Sequence, residues 1–220
     1  CKPTGIIFLG DVKHGIAKVE MEEWRDVPDF FEAVIKRVSN VQIIPGNHDG
    51  NLDPLLPNAV KVLPTAGFVL DDVGLFHGHT WPKPELLKCR NLVTGHVHPT
   101  VAFRDTMGFR ITRQVWIKAK CNGLHLAKSL LKSLNIKPGK DPIETLQKQF
   151  KMRFKASNLF VMPSFNDFLG GRPINEKTLG KNQTSSAFIG PILRSKSIDI
   201  DGSEVYMLDG TFLGTVNQLR

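Results

Sequence analysis

Val-Gln-Ile-Ile-Pro-Gly-Asn-His-Asp-Gly, residues 41–50, is the stretch of the sequence that says most about the fold. Its first half is a short continuous apolar run, which is typical of a buried β-strand. Its second half places Asn47, His48 and Asp49 directly after that strand. Because ligands of open α/β sheets gather at the carboxyl ends of the strands, this order predicts a functional site at a sheet edge.

Three further motifs have the same placement, and each follows an apolar run predicted to be a strand. They are Gly10-Asp11, His77-Gly78-His79 and Gly95-His96-Val97-His98. No single motif is strong evidence, because Gly-Asp after a strand is usually just a turn and a His-x-His pair is only slightly more suggestive. Together they would bring Asp, Asn and His side chains to one edge, and such donors suit manganese, iron, zinc or cobalt better than calcium. The four motifs therefore predict a metal site.

The overall composition is that of an ordinary globular protein. The chain has 220 residues, a formal net charge of +8, and no apolar run near the ~18 residues that a transmembrane helix requires. No secretory signal is visible. The three cysteines form no Cys-x-x-Cys pair, which argues against a disulfide scaffold and a thiolate zinc site. We therefore predict a cytoplasmic protein with no membrane association.

The positive charge is concentrated in residues 118–155. This segment holds ten basic and two acidic residues, so its net charge equals that of the whole chain. Its apolar spacing predicts two helices, with a turn at Lys137-Pro138-Gly139-Lys140 between them. A concentrated basic face is typical of a surface that binds a polyanion such as nucleic acid. The alternative interpretation is an ordinary solvated helix surface.

The four motifs resemble the signature of the calcineurin-like metallophosphoesterase superfamily. The longer forms Leu-Gly-Asp-Val-Lys-His-Gly (residues 9–15) and Gly-His-Val-His-Pro (residues 95–99) resemble an archaeal branch of uncharacterised phosphoesterases, related to the bacterial DNA-ligase-associated phosphoesterases. The resemblance is strong over residues 5–117 and weaker to the C-terminus. It implies an α/β fold, an αββα sandwich of two mixed β-sheets. The expected organisation is a core over residues 1–117, a basic helical hairpin insertion over 118–156, and a β-rich continuation of the same domain over 157–220.

The resemblance also implies roles for the site residues. Asp11 would bridge two divalent metals, Asn47, His77 and His96 would complete one metal site, and His98 would bind the other metal. His48, paired with Asp49, would be catalytic, stabilising the phosphate or protonating the leaving oxygen. A metal-bridging hydroxide would be the nucleophile of a phosphodiesterase acting on nucleic acid or nucleotides. Mn²⁺ is the expected metal, with iron, zinc, cobalt and nickel as alternatives.

One departure from the family pattern bears on these expectations. The family opens with an Asp-x-His motif at the end of its first strand, and no such motif precedes Gly10. The expectation is that the N-terminal strand, with several tens of residues, is missing from this chain, which starts at Cys1 instead of Met. In a complete chain the second metal would keep only Asp11 and His98 as ligands, and the site would hold one metal and be weak or inactive. The alternative functions are a catalytically weak or inactive metal-binding or nucleic-acid-binding module, or a phosphomonoesterase.

Four weaker candidates for substrate binding surround the motifs. Lys13 and His14 follow the bridging Asp11 and could meet a phosphate, although a surface lysine is an equally good interpretation of Lys13. His79 is either a substrate contact or a residue that supports His77. Asn166 lies in a loop with Gly170-Gly171 that could border the site.

Overall fold

The computed structural model describes residues 2–16, 18–166, 171–176 and 188–220. Cys1 and Gly170, which the sequence analysis singled out, lie outside the described residues. Within them the chain forms two β-sheets and four α-helices. The α/β architecture with two sheets that the resemblance implies is thus confirmed. The domain boundaries at residues 117 and 156 stay a prediction.

The smaller sheet is parallel and has three strands. Their order across the sheet is β1 (Gly5–Phe8), β2 (Asn40–Ile43) and β3 (Val60–Val62). The first long helix, α1 (Met21–Ile35), covers one face of this sheet, where its buried Val27 and Phe31 pack against strand residues. Phe8 meets the Phe31 ring edge to face at a centroid distance of 5.3 Å. The spacing of apolar residues predicts this helix over residues 24–38; it begins three residues earlier, at Met21, and ends three residues before Val38.

The larger sheet is mixed and contains eight strands among the described residues. Strands β5, β6 and β9 are parallel neighbours, whereas β4, β8, β10 and β11 extend the sheet with antiparallel pairs, and β7 forms a hairpin with β8. The strands are β4 (Phe68–Leu70), β5 (Val73–Phe76), β6 (Asn91–Thr94), β7 (Thr100–Arg104), β8 (Arg110–Cys121), β9 (Asn158–Val161), β10 (Ile198–Met207) and β11 (Phe212–Thr215).

Two helices connect β8 to β9, as the sequence predicts. They are α2 (Gly123–Ser133), which the Asn122 side chain caps, and α3 (Pro142–Phe150), which Asp141 caps. Their buried leucines belong to the core of the larger sheet. Each sheet therefore carries helices on one face, in agreement with the sandwich that the resemblance implies. A short fourth helix, α4 (Pro191–Arg194), precedes β10.

One predicted turn is wrong. The sequence Asp201-Gly202 indicates a tight turn between two strands, but these residues lie inside the single strand β10. The pairing of β10 with β8 shifts in register between Asp199 and Glu204, so the extra residues form a bulge. The turn predicted at Asp209-Gly210 does separate β10 from β11. No described helix has both the length and the apolar character needed to cross a membrane.

Candidate metal centre

Loops from both sheets meet where their strands end. The backbone N–H of Ile44, after β2, donates to the Phe8 carbonyl of β1 at 2.9 Å, which aligns the two strand ends of the smaller sheet. In the larger sheet, the Gly95 N–H and the buried Thr94 hydroxyl both donate to the His77 carbonyl, at 2.9 and 2.7 Å. The His77 ring then reaches across to the Leu9 carbonyl in the smaller sheet. These contacts bring Asp11, His77 and His96 together, with their ligand atoms within 4.8 Å of one another.

Asp11 is a half-buried carboxylate with two different neighbours. Its Oδ1 accepts the backbone N–H of His48 at 2.9 Å, and its Oδ2 lies 3.1 Å from His77 Nε2. Burial acts to raise the pKa of Asp11, but the contacts with His77 and with the His48 N–H outweigh it and lower this pKa from 3.8 to about 2. Asp11 is therefore ionised at neutral pH and can bind a cation.

His77 has the hydrogen-bond geometry of a metal ligand. Only 1% of its side chain is exposed, and its Nδ1 donates to the Leu9 carbonyl. In a neutral ring this leaves the lone pair on Nε2, which makes no hydrogen bond although it lies 3.1 Å from the Asp11 oxygen. Two electron-rich atoms at this distance repel unless a proton on Nε2 or a shared cation lies between them. A backbone carbonyl that fixes the tautomer in this way is common for metal-bound histidine.

His96 and Asn47 supply further donor atoms. Burial, followed by repulsion from His77, lowers the pKa of His96 from 6.5 to about 4, so its ring is neutral at pH 7. Its centroid lies 5.1 Å from that of His77. Asn47 Oδ1 is buried without a hydrogen-bond partner among the described residues. A carboxylate, two imidazoles and an amide oxygen form a donor set that fits a first-row divalent metal.

Three of the expected ligands occupy a strained backbone conformation. Asp11, His96 and His98 have φ values of 54°, 65° and 50°, in the left-handed region. Residues other than glycine enter this region at a cost of about 1–3 kcal/mol each, and such strain is concentrated at functional sites. The strain follows from the sharp turns that leave β1 and β6, which direct these side chains toward the strand ends.

His98 is the expected ligand that stands apart from this group. The cluster of possible ligands found in the described part of the chain contains Asp11, His77 and His96 without it. Burial lowers the pKa of His98, and the nearby Asp11 opposes that shift. The assignment of His98 to a second metal therefore stays a prediction.

Asp49 has a different environment from the one that the sequence predicts. Only 6% of this residue is exposed. Its Oδ2 accepts the N–H groups of Asp11 and Gly46, both at 2.7 Å, and its Oδ1 accepts those of Val12 and Lys13, at 2.8 and 3.3 Å. Asp49 thus ties the loop after β1 to the loop after β2. These backbone amides occupy the carboxylate that was expected to pair with His48, because a buried backbone N–H needs an acceptor.

His48 has a partner other than the expected Asp49. Its Nδ1 lies 2.6 Å from the His14 carbonyl. The half-buried His48 ring is also 6.4 Å, between centroids, from the ring of His14. The expected pairing with Asp49 is therefore not formed, although the His48 backbone contacts Asp11 directly.

Gly46 allows the two loops to approach closely. A Cβ at this position would lie 2.2 Å from Asp11 Oδ1 and 2.8 Å from His77 Cε1. Neither atom can retreat without moving the candidate ligands themselves. The glycine in the Gly-Asn-His-Asp motif is therefore required by the space between Asp11 and His77.

The weaker candidates from the sequence occupy varied environments. Lys13 is 3% exposed, and its Nζ contacts the Gly15 carbonyl, so it is not the surface lysine considered above. His14 is exposed, and its N–H donates to the buried Glu23 at 2.8 Å. His79 is half-buried with Nδ1 unpartnered, and burial lowers its pKa.

Asn166 is exposed beside the β7–β8 hairpin. Its carbonyl accepts the Gln114 side chain of β8 at 3.2 Å. Gln114 is the register partner of Thr100, two residues after His98. Gly171, beyond the undescribed residues 167–170, packs so closely that a Cβ there would lie 1.7 Å from the His98 carbonyl oxygen. This second part of the loop therefore borders the strand end that carries His98.

A cleft lies beside the candidate metal group, which consists of Asp11, His77 and His96. Some residues that line this cleft were not among those predicted from the sequence. It has a volume of about 710 Å³ and opens on His79 and His96. The other lining residues are Thr80, Trp81, Ile189, Gly190, Pro191 and Arg194. Trp81 lies two residues after His79 and could have been suspected from that proximity. Arg194 is distant in sequence from all four motifs, so no local pattern indicates it.

Comparisons with known proteins give one structural likeness. No protein-family model matches the chain, and no curated protein matches it. Among solved structures, the crystal structure of the Pseudomonas putida nuclease MPE is similar, with 18% sequence identity and a TM-score of 0.48. The similarity covers 96% of this chain and 70% of that chain.

Proposed function

We propose that the chain is a divalent-metal-dependent phosphoesterase that hydrolyses phosphodiesters of nucleic acids or nucleotides, with the calcineurin-like metallophosphoesterases as its family. The observation that carries the proposal is the convergence of Asp11 and His77, whose Oδ2 and Nε2 atoms lie 3.1 Å apart. Both atoms belong to a group that His96 completes. The three residues come from three loops, each of which follows a strand, as the topology of an α/β sheet predicts.

Asp11, His77, His96 and Asn47 are the residues that would hold the metal. A bound divalent cation lowers the pKa of water toward neutrality and stabilises negative charge on a phosphoryl oxygen. We propose Mn²⁺ as the metal, since mixed oxygen and imidazole donors suit it, with iron, zinc, cobalt and nickel as alternatives. We also propose a second ion, held by Asp11 and His98.

The chain's own residues supply cation ligands in the required protonation state, hold the loops in place and contact the substrate. Asp11 is ionised and His96 is neutral at pH 7, so both can bind a cation without first losing a proton. Asp49 fixes the two loops that carry Asp11 and His48 through its four N–H contacts. We assign His48 the role of contacting the phosphate or leaving oxygen through Nε2, because its Nδ1 is engaged by the His14 carbonyl.

The basic segment of residues 118–155 supports a nucleic-acid substrate. Nine of its ten basic side chains are exposed, and the tenth, Lys118, pairs with Glu204 at 2.8 Å. Lysine and arginine bind phosphates without regard to base sequence and release counterions, which makes binding weaken as salt rises. Lys128 and Lys132 lie one turn apart on α2 and so point to the same side of the helix.

A salt titration tests this interface. The double variant Lys128→Gln/Lys132→Gln should bind duplex DNA more weakly, with the slope of log K against log salt reduced by about 0.9 for each phosphate that the variant no longer neutralises. The matched control is Lys36→Gln/Lys61→Gln. It removes two exposed lysines, one directly after α1 and one in β3 of the smaller sheet. Equal slopes in both double variants and the wild type would refute binding of DNA at α2.

Hydrolysis of bis-p-nitrophenyl phosphate in Mn²⁺ tests the enzymatic proposal. We expect release of nitrophenol by the wild type and loss of that activity in Asp11→Asn, which keeps the shape of the side chain but removes its charge. Metal binding without turnover would instead favour a binding module. A preference for p-nitrophenyl phosphate over the diester would favour a phosphomonoesterase.

We also propose a cytoplasmic location. The described cysteines, Cys89 and Cys121, are free thiols. Burial raises the pKa of both thiols, that of Cys121 to about 12, which keeps them unreactive. Unpaired cysteines are ordinary in a reducing compartment.

A further inference from the structure

The cleft beside His96 has two walls from distant parts of the sequence. One wall is the loop after β5, with His79, Thr80 and Trp81, and the other is the segment from Ile189 to Arg194. Its volume of about 710 Å³ lies in the range of pockets that hold small organic ligands, about 300–1,000 Å³. Because His96 also belongs to the metal group, a ligand in this cleft would lie next to the proposed reaction site.

The two walls pack closely against each other. Gly190 has a φ of 92°, and a Cβ there would lie 2.4 Å from the Gly78 carbonyl oxygen and 3.6 Å from the His96 ring. Phe188 and Ile192, on either side of it, are each 1% exposed and belong to the main core. The second wall is therefore fixed before any ligand binds, which reduces the entropy cost of binding.

The lining combines an aromatic ring with a cation. Trp81 is half-buried, with part of its surface packed against the core and part lining the cleft. Arg194 is exposed at the end of α4, and among the described residues its side chain makes no hydrogen bond or ion pair. A flat aromatic surface stacks on nucleobases of any sequence. An unpaired guanidinium forms bidentate hydrogen bonds with phosphate.

We propose that this cleft binds one nucleoside unit of the substrate, with the base on Trp81 and a flanking phosphate at Arg194. The inference rests on the proposed phosphoesterase function and specifies its substrate class. It makes Trp81 and Arg194 specificity-determining residues, which contact parts of the substrate away from the bond that breaks. The enzyme should then prefer esters that carry a nucleoside.

Two esters with the same leaving group test the role of Trp81. The p-nitrophenyl ester of thymidine 5′-phosphate carries a nucleoside, and methyl p-nitrophenyl phosphate does not. For the wild type in Mn²⁺ we expect a higher kcat/KM on the thymidine ester. In Trp81→Ala this preference should fall roughly tenfold or more, the effect expected when one base–aromatic stack is removed. Trp81→Phe, which keeps an aromatic ring, should retain most of the preference.

Trp24→Ala is the matched control, because Trp24 is a half-exposed tryptophan on α1, outside the cleft. The preference of Trp24→Ala for the thymidine ester should equal that of the wild type. A Trp81→Ala variant with an unchanged preference would overturn the proposal, whether or not both rates fall together.

For Arg194, the measured quantity is the preference for dithymidine with a 5′-phosphate over dithymidine without it. Arg194→Gln should reduce this preference, and Arg37→Gln, at an exposed position two residues after the end of α1, should not.

A binding experiment separates failure of the cleft from failure of the enzymatic function. If the wild type hydrolyses neither ester, the phosphoesterase proposal fails, but the cleft is still tested by quenching of tryptophan fluorescence with thymidine 5′-phosphate. Quenching that persists in Trp24→Phe and disappears in Trp81→Phe supports the nucleoside subsite. Quenching that persists in Trp81→Phe, or is absent from the wild type, refutes it.

Discussion

Replacement of Asp49 by Asn separates a positioning role from a catalytic one. The carboxylate accepts four backbone N–H groups, two on each oxygen, at 2.7, 2.7, 2.8 and 3.3 Å. An amide has one acceptor oxygen, so in either orientation its NH₂ group faces two N–H donors that are left without an acceptor. Hydrogen bonds to a charged group contribute about 1.5–3 kcal/mol each, so Asp49→Asn should lower the free energy of unfolding by about 3 kcal/mol or more.

Urea denaturation in the presence of a chelator measures this decrease without any contribution from bound metal. The matched control is Asp29→Asn, which removes the same charge from an exposed position on α1 and should change stability by less than about 0.5 kcal/mol. If Asp49 were instead the catalytic partner of His48, the variant would lose turnover with its stability intact. An Asp49→Asn protein as stable as the wild type would therefore refute the positioning role.

Two further predictions concern the packing and the protonation of the metal group. Gly46→Ala should abolish Mn²⁺ binding, measured by calorimetry, because the new Cβ would lie 2.2 Å from Asp11 Oδ1; Gly50→Ala, whose Cβ would have its nearest contact at 3.4 Å, should bind normally. The pKa of His96 is about 4 in the folded protein and near 6.5 in the unfolded chain, so between these pH values the folded protein binds fewer protons. In the presence of a chelator, the melting temperature should therefore rise from pH 4 to 6.5. His96→Asn should weaken this dependence, and an unchanged slope would contradict the assigned environment of His96.

The sequence was sufficient to predict the elements that form the metal group. The apolar runs before Asp11, Asn47, His77 and His96 are strands, and within each sheet the placement of these residues at one edge follows from the sheet architecture. The helices α2 and α3 were also predictable, because apolar spacing and capping residues are local signals.

Other features depend on contacts that no local pattern encodes. Asp49 follows His48 in the sequence, but its partners are mainly backbone amides from a loop about 37 residues away. The bulge in β10 arises because the strand pairs with β8, which overrides the turn preference of Asp201-Gly202. The cleft wall at Arg194 is placed by Phe188 and Ile192, two core residues whose packing is a tertiary effect.

Binding of Mn²⁺ to the apoprotein is the most direct test of a metal centre at Asp11, His77 and His96. Titration followed by the electron paramagnetic resonance of free Mn²⁺ gives the affinity of the wild type, of His77→Ala and of the control His125→Ala, which removes an exposed histidine at the start of α2. We expect the wild type and His125→Ala to bind Mn²⁺ equally and His77→Ala to bind it at least about tenfold more weakly. Equal affinities for all three proteins would contradict a metal centre at Asp11, His77 and His96.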